Sequence, residues 1–442
     1  MIDIKLIREN KDHVAKELSK RNIKKSRIEK IFKLDIKLRE NIQALEEIKA
    51  EKNKFNKEIK KLNANKKKDK IDEMIKLAKK EDGLTQDVQN LNDSLNNLLK
   101  DIPNLPAYDV KIGKDESENE IVKKWSEPKK FDFQPKDHME LGINLGIIDT
   151  ETATKVSGTR FNYLKNEAVT LQFALINFAF DTLTDKDILQ KIITNNKLDI
   201  KIENKNIFQR IIPPVLVKEE TLDRMSRLEP KEERYYIPSD NLYLVGSAEH
   251  SIGSMFMDQM LDENDLPIRF IGYSSSFRRE AGSYGKDTQG ILRVHQFDKL
   301  EMQTFTQAEN SLIEQDFLVA IQEYLMQQLS IPYRIVKMCT GDMTNPDARQ
   351  IDIEAWVPSQ NTYRETHTSD LTTDYQARRL KTRYKDNNGL KKFVHINDAT
   401  AFAIGRTLIA ILENYQNKDG SVTIPKALQK YSGHLKTIET KK

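Results

Sequence analysis

Two long stretches near the N-terminus carry apolar residues at alternating steps of three and four. The first runs from about Arg27 through Ile31, Leu34, Leu38, Leu45, Ile48 and Phe55, with Asn41 and Lys52 as polar interruptions. The second runs through Met74, Leu77, Leu84, Val88, Leu91 and Leu95, interrupted by Glu81. Such a spacing keeps one apolar seam along each helix, and neither run contains proline. The polar stretch from Asn63 to Lys68 predicts a turn between them. Two helices joined by a short turn fold back antiparallel, each seam burying the other. At 1.5 Å per residue, ~35 residues make a hairpin on the order of 50 Å long. Pro103 and Pro106 end it, because proline cannot continue a helix.

From about Asp109 the pattern changes to short apolar strands mixed with helices, without the regular alternation of a doubly wound sheet. Ile291–Phe297 and Gln350–Val357 read as strands, Ala308–Gln328 and Ala401–Asn414 as helices. The residues alone predict an α+β fold with an antiparallel sheet. At 442 residues the chain exceeds one ordinary domain. Hydrophobic residues make up 38% and charged residues 32%, a balance that suits an elongated element with much surface. The net charge is only +4, so nucleic-acid contact must come from local clusters. One such cluster, Lys54, Lys57, Lys61, Lys66, Lys67 and Lys68, falls at the far end of the predicted hairpin. The plain reading is the solvated face of a dimerisation or spacer coiled coil. The other is a rod that follows a phosphate backbone. A single cysteine, Cys339, excludes a disulfide framework and a cysteine-built zinc site, so no zinc is expected. No apolar run approaches the ~20 residues of a membrane span, and the charged opening is not a signal peptide, so a cytoplasmic protein is expected.

Candidate chemistry gathers in Phe277-Arg278-Arg279-Glu280-Ala281-Gly282 and in Gly405-Arg406 of Ala401-Phe402-Ala403-Ile404-Gly405-Arg406-Thr407-Leu408. Two arginines on separate segments, one beside a glutamate, suit a site that holds a triphosphate without a glycine-rich loop. Guanidinium forks onto phosphate or carboxylate oxygens in a way lysine cannot. In this order the two segments resemble the second and third signature motifs of class II aminoacyl-tRNA synthetases. The chain is most similar to the seryl-tRNA synthetases of the bacterial type, over nearly its whole length and most densely from Leu244 to Pro425.

The resemblance implies an N-terminal coiled-coil domain, residues 1–105, that grips the long variable arm of tRNA-Ser across a homodimer. It implies a class II catalytic domain, residues 106–442, with a mixed, mainly antiparallel sheet flanked by helices. Serine would react with ATP, then pass to tRNA-Ser, and the family generally charges tRNA-Sec too. Arg278 would bridge the serine carboxylate and the α-phosphate, Glu280 would take the adenine amino group, and adenine would stack on Phe297. Arg406 would close over the other face and the γ-phosphate. Glu365 and Thr368 would hold Mg²⁺ with the phosphates, and Ser247, Glu249, Glu301, Asp398 and Thr400 would line the serine pocket. The helix Ala168–Leu183 and a strand ending at Pro213-Pro214 would form the dimer element. His295, His367 and His395 are expected to be structural, since no spacing completes a zinc site.

Two segments depart from the family pattern. Asp398-Ala399-Thr400 stands where Asn-Gly-Ser or Asn-Gly-Thr is usual. Asp398 removes two donors and adds a charge, and Ala399 forbids a positive φ without strain. Asn397 compensates only if the strand slips by one residue. Ser369-Asp370-Leu371-Thr372 replaces a segment that commonly contains Ser-Asn. These departures leave open a catalytically altered paralogue that binds tRNA. A ligase that loads a carrier protein is a further alternative, although such relatives lack the hairpin.

Overall fold

The computed structural model describes residues 1–59, 64–281 and 290–440, with the backbone alone for 58, 59, 64–66 and 69. The chain divides into two compact units, Met1–Leu105 and Pro106–Lys442.

The first unit holds helices α1 (Ile4–Ser19), α2 (Lys25–Ile59) and α3 (Ala64–Lys100). Along the α2–α3 seam Ile31, Leu38, Leu45, Ile48 and Leu95 are buried, as the heptads require. The two charged interruptions pair with each other: Lys52 donates to Glu81 across the hairpin. A polar pair at one level of an apolar seam fixes register. The turn predicted from Asn63 to Lys68 is absent from Ala64 onward, and Asn63 lies outside the described residues. Lysine is a good helix former and nothing here breaks a helix, so α3 already begins at Ala64 and Lys67 and Lys68 are exposed helical residues. The sequence pattern did not announce α1. It docks through Arg8, which forks onto the fully buried Asp35 at 2.7 and 2.9 Å.

The second unit is built on an eight-stranded sheet. In chain order its strands are β1 (Glu120–Trp125), β2 (Gln209–Ile211), β3 (Ile268–Phe277), β4 (Gln296–Thr306), β5 (Tyr333–Lys337), β6 (Arg349–Val357), β7 (Thr362–Thr373) and β8 (His395–Ala403). They lie in the order β1-β5-β6-β7-β8-β4-β3-β2, antiparallel throughout except for the parallel β2–β3 pair. Helices α4 (Glu167–Leu183), α5 (Ser311–Gln328) and α6 (Ile404–Asn414) pack with the sheet into one continuous apolar core.

Two boundaries differ from the sequence reading. Ile291 to His295 is a loop rather than a strand. Its apolar residues Ile291 and Val294 are buried, which gave the segment a strand-like look without any ladder partner. Ala401 to Ala403 belongs to β8, because pairing with β4 continues through Lys299↔Ala403, and α6 starts only at Ile404.

Gln315 and Gln322 lie seven residues apart on α5 and therefore share a face. Gln315 Nε2 donates to the carbonyls of Arg349 (3.1 Å) and Ser369 (2.8 Å). Gln322 Nε2 donates to those of Thr368 (2.9 Å) and Thr400 (2.8 Å). Both side chains are fully buried. They supply donors to strand carbonyls inside the core, where an unmet acceptor is costly. Gln322→Leu should therefore cost about 1–3 kcal/mol, the desolvation penalty of the orphaned carbonyls, read as a lowered midpoint in urea at unchanged m-value.

Candidate active site

Strand side chains alternate faces, so residues an odd number apart point to opposite sides. Glu365 and Thr368 are three apart, yet both line one cavity of about 490 Å³. A β-bulge reconciles the two facts. On β6–β7 the pairing passes from Ile353↔His367 to Glu354↔Glu365, so Thr366 has no opposite residue and the face switches. A second bulge acts on β8, where pairing passes from Leu300↔Phe402 to Glu301↔Thr400 and leaves Ala401 without an opposite. Thr400 and Ala403 thus both line the cavity, while Phe402 stays in the core.

Arg278 follows the end of β3. Its guanidinium lies 5.3 Å from the centre of the Phe297 ring, and its Nε donates to the Gly246 carbonyl at 3.1 Å. His295 clamps the same residue. The Arg278 N–H donates to the His295 carbonyl, and His295 Nδ1 lies 3.0 Å from the Arg278 carbonyl. Glu280 sits in the left-handed region at φ 51°. Arg160 holds its carbonyl at 2.9 Å and Arg293 its carboxylate at 3.1 Å. A strained backbone held by its surroundings is common where side chains must be aimed at a ligand. Arg406 lies in the first turn of α6. Its Nη1 meets both the carboxylate (2.9 Å) and the carbonyl (3.0 Å) of Glu365. Gly405 lets the first turn of α6 lie close to the Ile291 carbonyl, which a Cβ there would approach to 3.1 Å.

Arg278, Glu280, Phe297, Glu365, Thr368, Arg406, Glu249, Glu301, Asp398 and Thr400 all line this one cavity. Ser247 is the exception. It is fully buried, accepting from Lys299 Nζ at 3.0 Å and donating to Glu301 at 3.4 Å, so it orients the pocket from behind. On the arm, Lys54, Lys57, Lys67 and Lys68 are exposed. Lys61 and the side chain of Lys66 lie outside the described residues. Asn397 does not compensate for Asp398: its amide donates to the Ser311 carbonyl at 2.9 Å. Ala399 is free of strain, being a buried strand residue with no positive φ.

Several cavity residues carried no sequence signal. Lys299 stands 2.6 Å from Glu301, and although burial raises both carboxyls beside it, their neighbours drive the two apart. Glu301 is pushed up to about 7, chiefly by burial and against the pull of Lys299. For Glu249, burial is outweighed by Lys299, His250 and Arg227, and its carboxyl is held below the usual range. Arg227 was also missed. It pairs with Asp370 at 3.3 Å and Asp398 at 3.6 Å, joining the two segments that depart from the family pattern. Asp352 is a buried carboxyl directly opposite Thr368. Among the described residues, no group of three or more His, Cys, Asp or Glu side chains is arranged to hold a metal ion. The three singled-out histidines bond to chain groups: His295 as above, His367 to Thr366 (2.8 Å) and His395 to Ser311 (2.9 Å).

Residues 1–106 match the seryl-tRNA synthetase N-terminal domain, and residues 233–415 match the class II tRNA synthetase core domain (G, H, P, S and T). The serine–tRNA ligase of Petrotoga mobilis is 39% identical over 438 residues, covering 98% of this chain and 99% of the relative. That of Hydrogenobaculum sp. is 41% identical with the same coverage. The chain belongs to the seryl-tRNA synthetases. Its fold agrees: the seryl-tRNA synthetase from Pyrococcus horikoshii, solved in complex with ATP, superposes at a TM-score of 0.89 with 35% identity over the whole of both chains. The protein is therefore an aminoacyl-tRNA synthetase, and its two units carry the N-terminal and core matches respectively. No described helix is long and apolar enough to cross a membrane.

The synthetase also buries a titratable group beside its arginines. His250 Nδ1 accepts the Gly246 N–H at 3.2 Å, and Nε2 lies 3.5 Å from Glu249. Burial first, then Arg234, Arg227 and Arg278, depress its pKa to about 3. The unfolded chain binds a proton below about 6.5 that the folded one refuses, so stability falls as pH drops from 6.5 towards 3. At pH 5 this amounts to ~2 kcal/mol for one such histidine. His250→Gln keeps an acceptor and cannot titrate. It should shrink the drop in melting temperature between pH 7.5 and 5.0, measured by calorimetry.

Proposed function

We propose that the Pro106–Lys442 unit joins serine to ATP through the residues gathered in its cavity, forming seryl-adenylate and pyrophosphate, and passes the seryl group to tRNA-Ser. The observation that carries this reading is the convergence of Arg278, Glu280, Phe297, Glu365 and Arg406 on the cavity that also holds Glu249 and Glu301. Adenylate formation needs little covalent help, so positioning and charge neutralisation supply most of the acceleration. Arg278 forks onto the serine carboxylate and the α-phosphate and keeps the attacking and accepting atoms in line. Phe297 offers a face to adenine, and Glu280, aimed by Arg160 and Arg293, accepts from its amino group. Glu301 and Glu249 take the serine ammonium. Arg406 turns from Glu365 to the γ-phosphate side.

Glu365, Thr368 and the nearby Asp352 present oxygen donors on one face of the sheet, a set that fits Mg²⁺ completed by phosphate and water. When bound, Mg²⁺ would neutralise triphosphate charge there. Lys54, Lys57, Lys67 and Lys68 offer exposed cations to a phosphate backbone, with Lys61 and Lys66 beside them in sequence. The reading extends to a symmetric dimer built on α4 and β2, to a cytoplasmic location and to charging of tRNA-Sec. These three rest on the family resemblance. Against the inactive-paralogue alternative, the serine reading is supported by an unstrained Ala399 and by the arginine that Asp370 and Asp398 share. A carrier-protein ligase is disfavoured by the N-terminal helices α2 and α3.

ATP–pyrophosphate exchange tests the first step. Serine should support exchange and glycine, alanine, threonine and cysteine should not; silence with all five would sink the reading. Arg278→Lys should lower kcat/KM for exchange by at least about 100-fold, since a point charge cannot replace the fork. Replacing Lys66, Lys67 and Lys68 together should raise the KM for tRNA-Ser severalfold at moderate salt while exchange stays at the parent rate.

A further inference from the structure

Asp370 on β7 and Asp398 on β8 are direct cross-strand partners, so their side chains leave the sheet on the same face. Both are more than nine-tenths buried, and both line the cavity. Two carboxyls in that position disfavour each other's charge. Burial and neighbouring acids push both well above the usual carboxylate range, and a cation between them pulls the other way. Arg227 supplies it, with Nη2 3.3 Å from Asp370 Oδ2 and 3.6 Å from Asp398 Oδ2. A local turn delivers the guanidinium. Ser226 takes the left-handed conformation at φ 58° after the short helix Glu219–Arg224, and the Arg227 N–H closes on the Leu222 carbonyl at 2.9 Å.

The pairing uses only one oxygen of each carboxyl. Asp370 Oδ1 and Asp398 Oδ1 are buried without a hydrogen-bond partner, and so is Glu249 Oε2 in the same cavity. Buried acceptors in this state cost free energy until a ligand brings donors to them. Gln303 and Asp398 are opposite each other, as are Glu301 and Thr400 two residues along, so the wall adjoins the residues expected to hold serine. A site that hydrogen-bonds a substrate's polar group rejects the analogue lacking it, because its own groups are then stranded.

Resting on the serine reading above, we propose that Arg227, Asp370 and Asp398 form the wall that reads the amino-acid side chain. Arg227 is the positioning residue that holds the two carboxyls in place. Their remaining oxygens select a side chain that donates a hydrogen bond. The two departures from the family pattern are then coupled: both put an acid on neighbouring strands, and an arginine from a third segment is shared between them.

The test is exchange kinetics on the full chain. Arg227→Gln strands two facing carboxyls and should raise the serine KM at least tenfold while the ATP KM stays within twofold. Adding Asp370→Asn and Asp398→Asn removes the charges that needed Arg227, and should bring the serine KM back to within threefold of the parent. Asp398→Leu deletes an acceptor and should cut the preference for serine over alanine at least tenfold. A parent protein silent with serine overturns this proposal together with the serine reading. An active parent whose serine KM is insensitive to Arg227→Gln, a triple variant no better than Arg227→Gln, or an unchanged serine preference in Asp398→Leu overturns the wall alone.

Discussion

The site depends on a conflict between the two-residue period of a β-strand and the spacing of the groups that must share one face. Glu365 and Thr368 are three apart, and so are Thr400 and Ala403; a regular ladder would turn one of each pair into the core. The bulges at Thr366 and Ala401 resolve it by each inserting one residue without a cross-strand opposite. Beneath these strands the core is dry, and strand carbonyls there still need donors. The amides of Gln315 and Gln322 on α5 bond those of Arg349, Ser369, Thr368 and Thr400. The bulges aim the acids, and the helix beneath supplies donors to carbonyls of the same strands.

The heptad seam was legible because a 3.5-residue period needs no tertiary context, and the buried seam residues follow it. The cavity residues of the two motifs were legible through resemblance rather than period, since Arg278 and Arg406 are 128 positions apart and meet only through β3, β4 and β8. What failed did so for physical reasons. Ile291 and Val294 in the loop Ile291 to His295 are buried, and burial without a ladder partner imitates a strand. Ala401 to Ala403 has helix-forming composition, but its pairing with β4 outweighs that propensity. Lys66 to Lys68 looked like a turn because it is polar, and polarity alone does not break a helix. Arg227 carried no local signal at all. Its meaning lies in two strands more than a hundred residues away.

Charge in the cavity is arranged in balanced local groups rather than as one field. Lys299 stands between Glu249 and Glu301, Arg406 meets Glu365, Arg293 meets Glu280, and Arg227 faces Asp370 and Asp398. Burial makes each group costly to break by halves, since removing one partner leaves the other charged in a dry environment. A sequence that exchanges one member is therefore under pressure to exchange the rest. Asp398 considered alone is a lost amide and a foreign charge. Set against Asp370 and Arg227, it is one corner of a triangle in which a single arginine is shared by two carboxyls, and what has changed is which atoms face the substrate. The same logic explains why Ala399 is harmless: its neighbours on β7 and β4 hold it in extended backbone, where the glycine usual in relatives confers no conformational advantage.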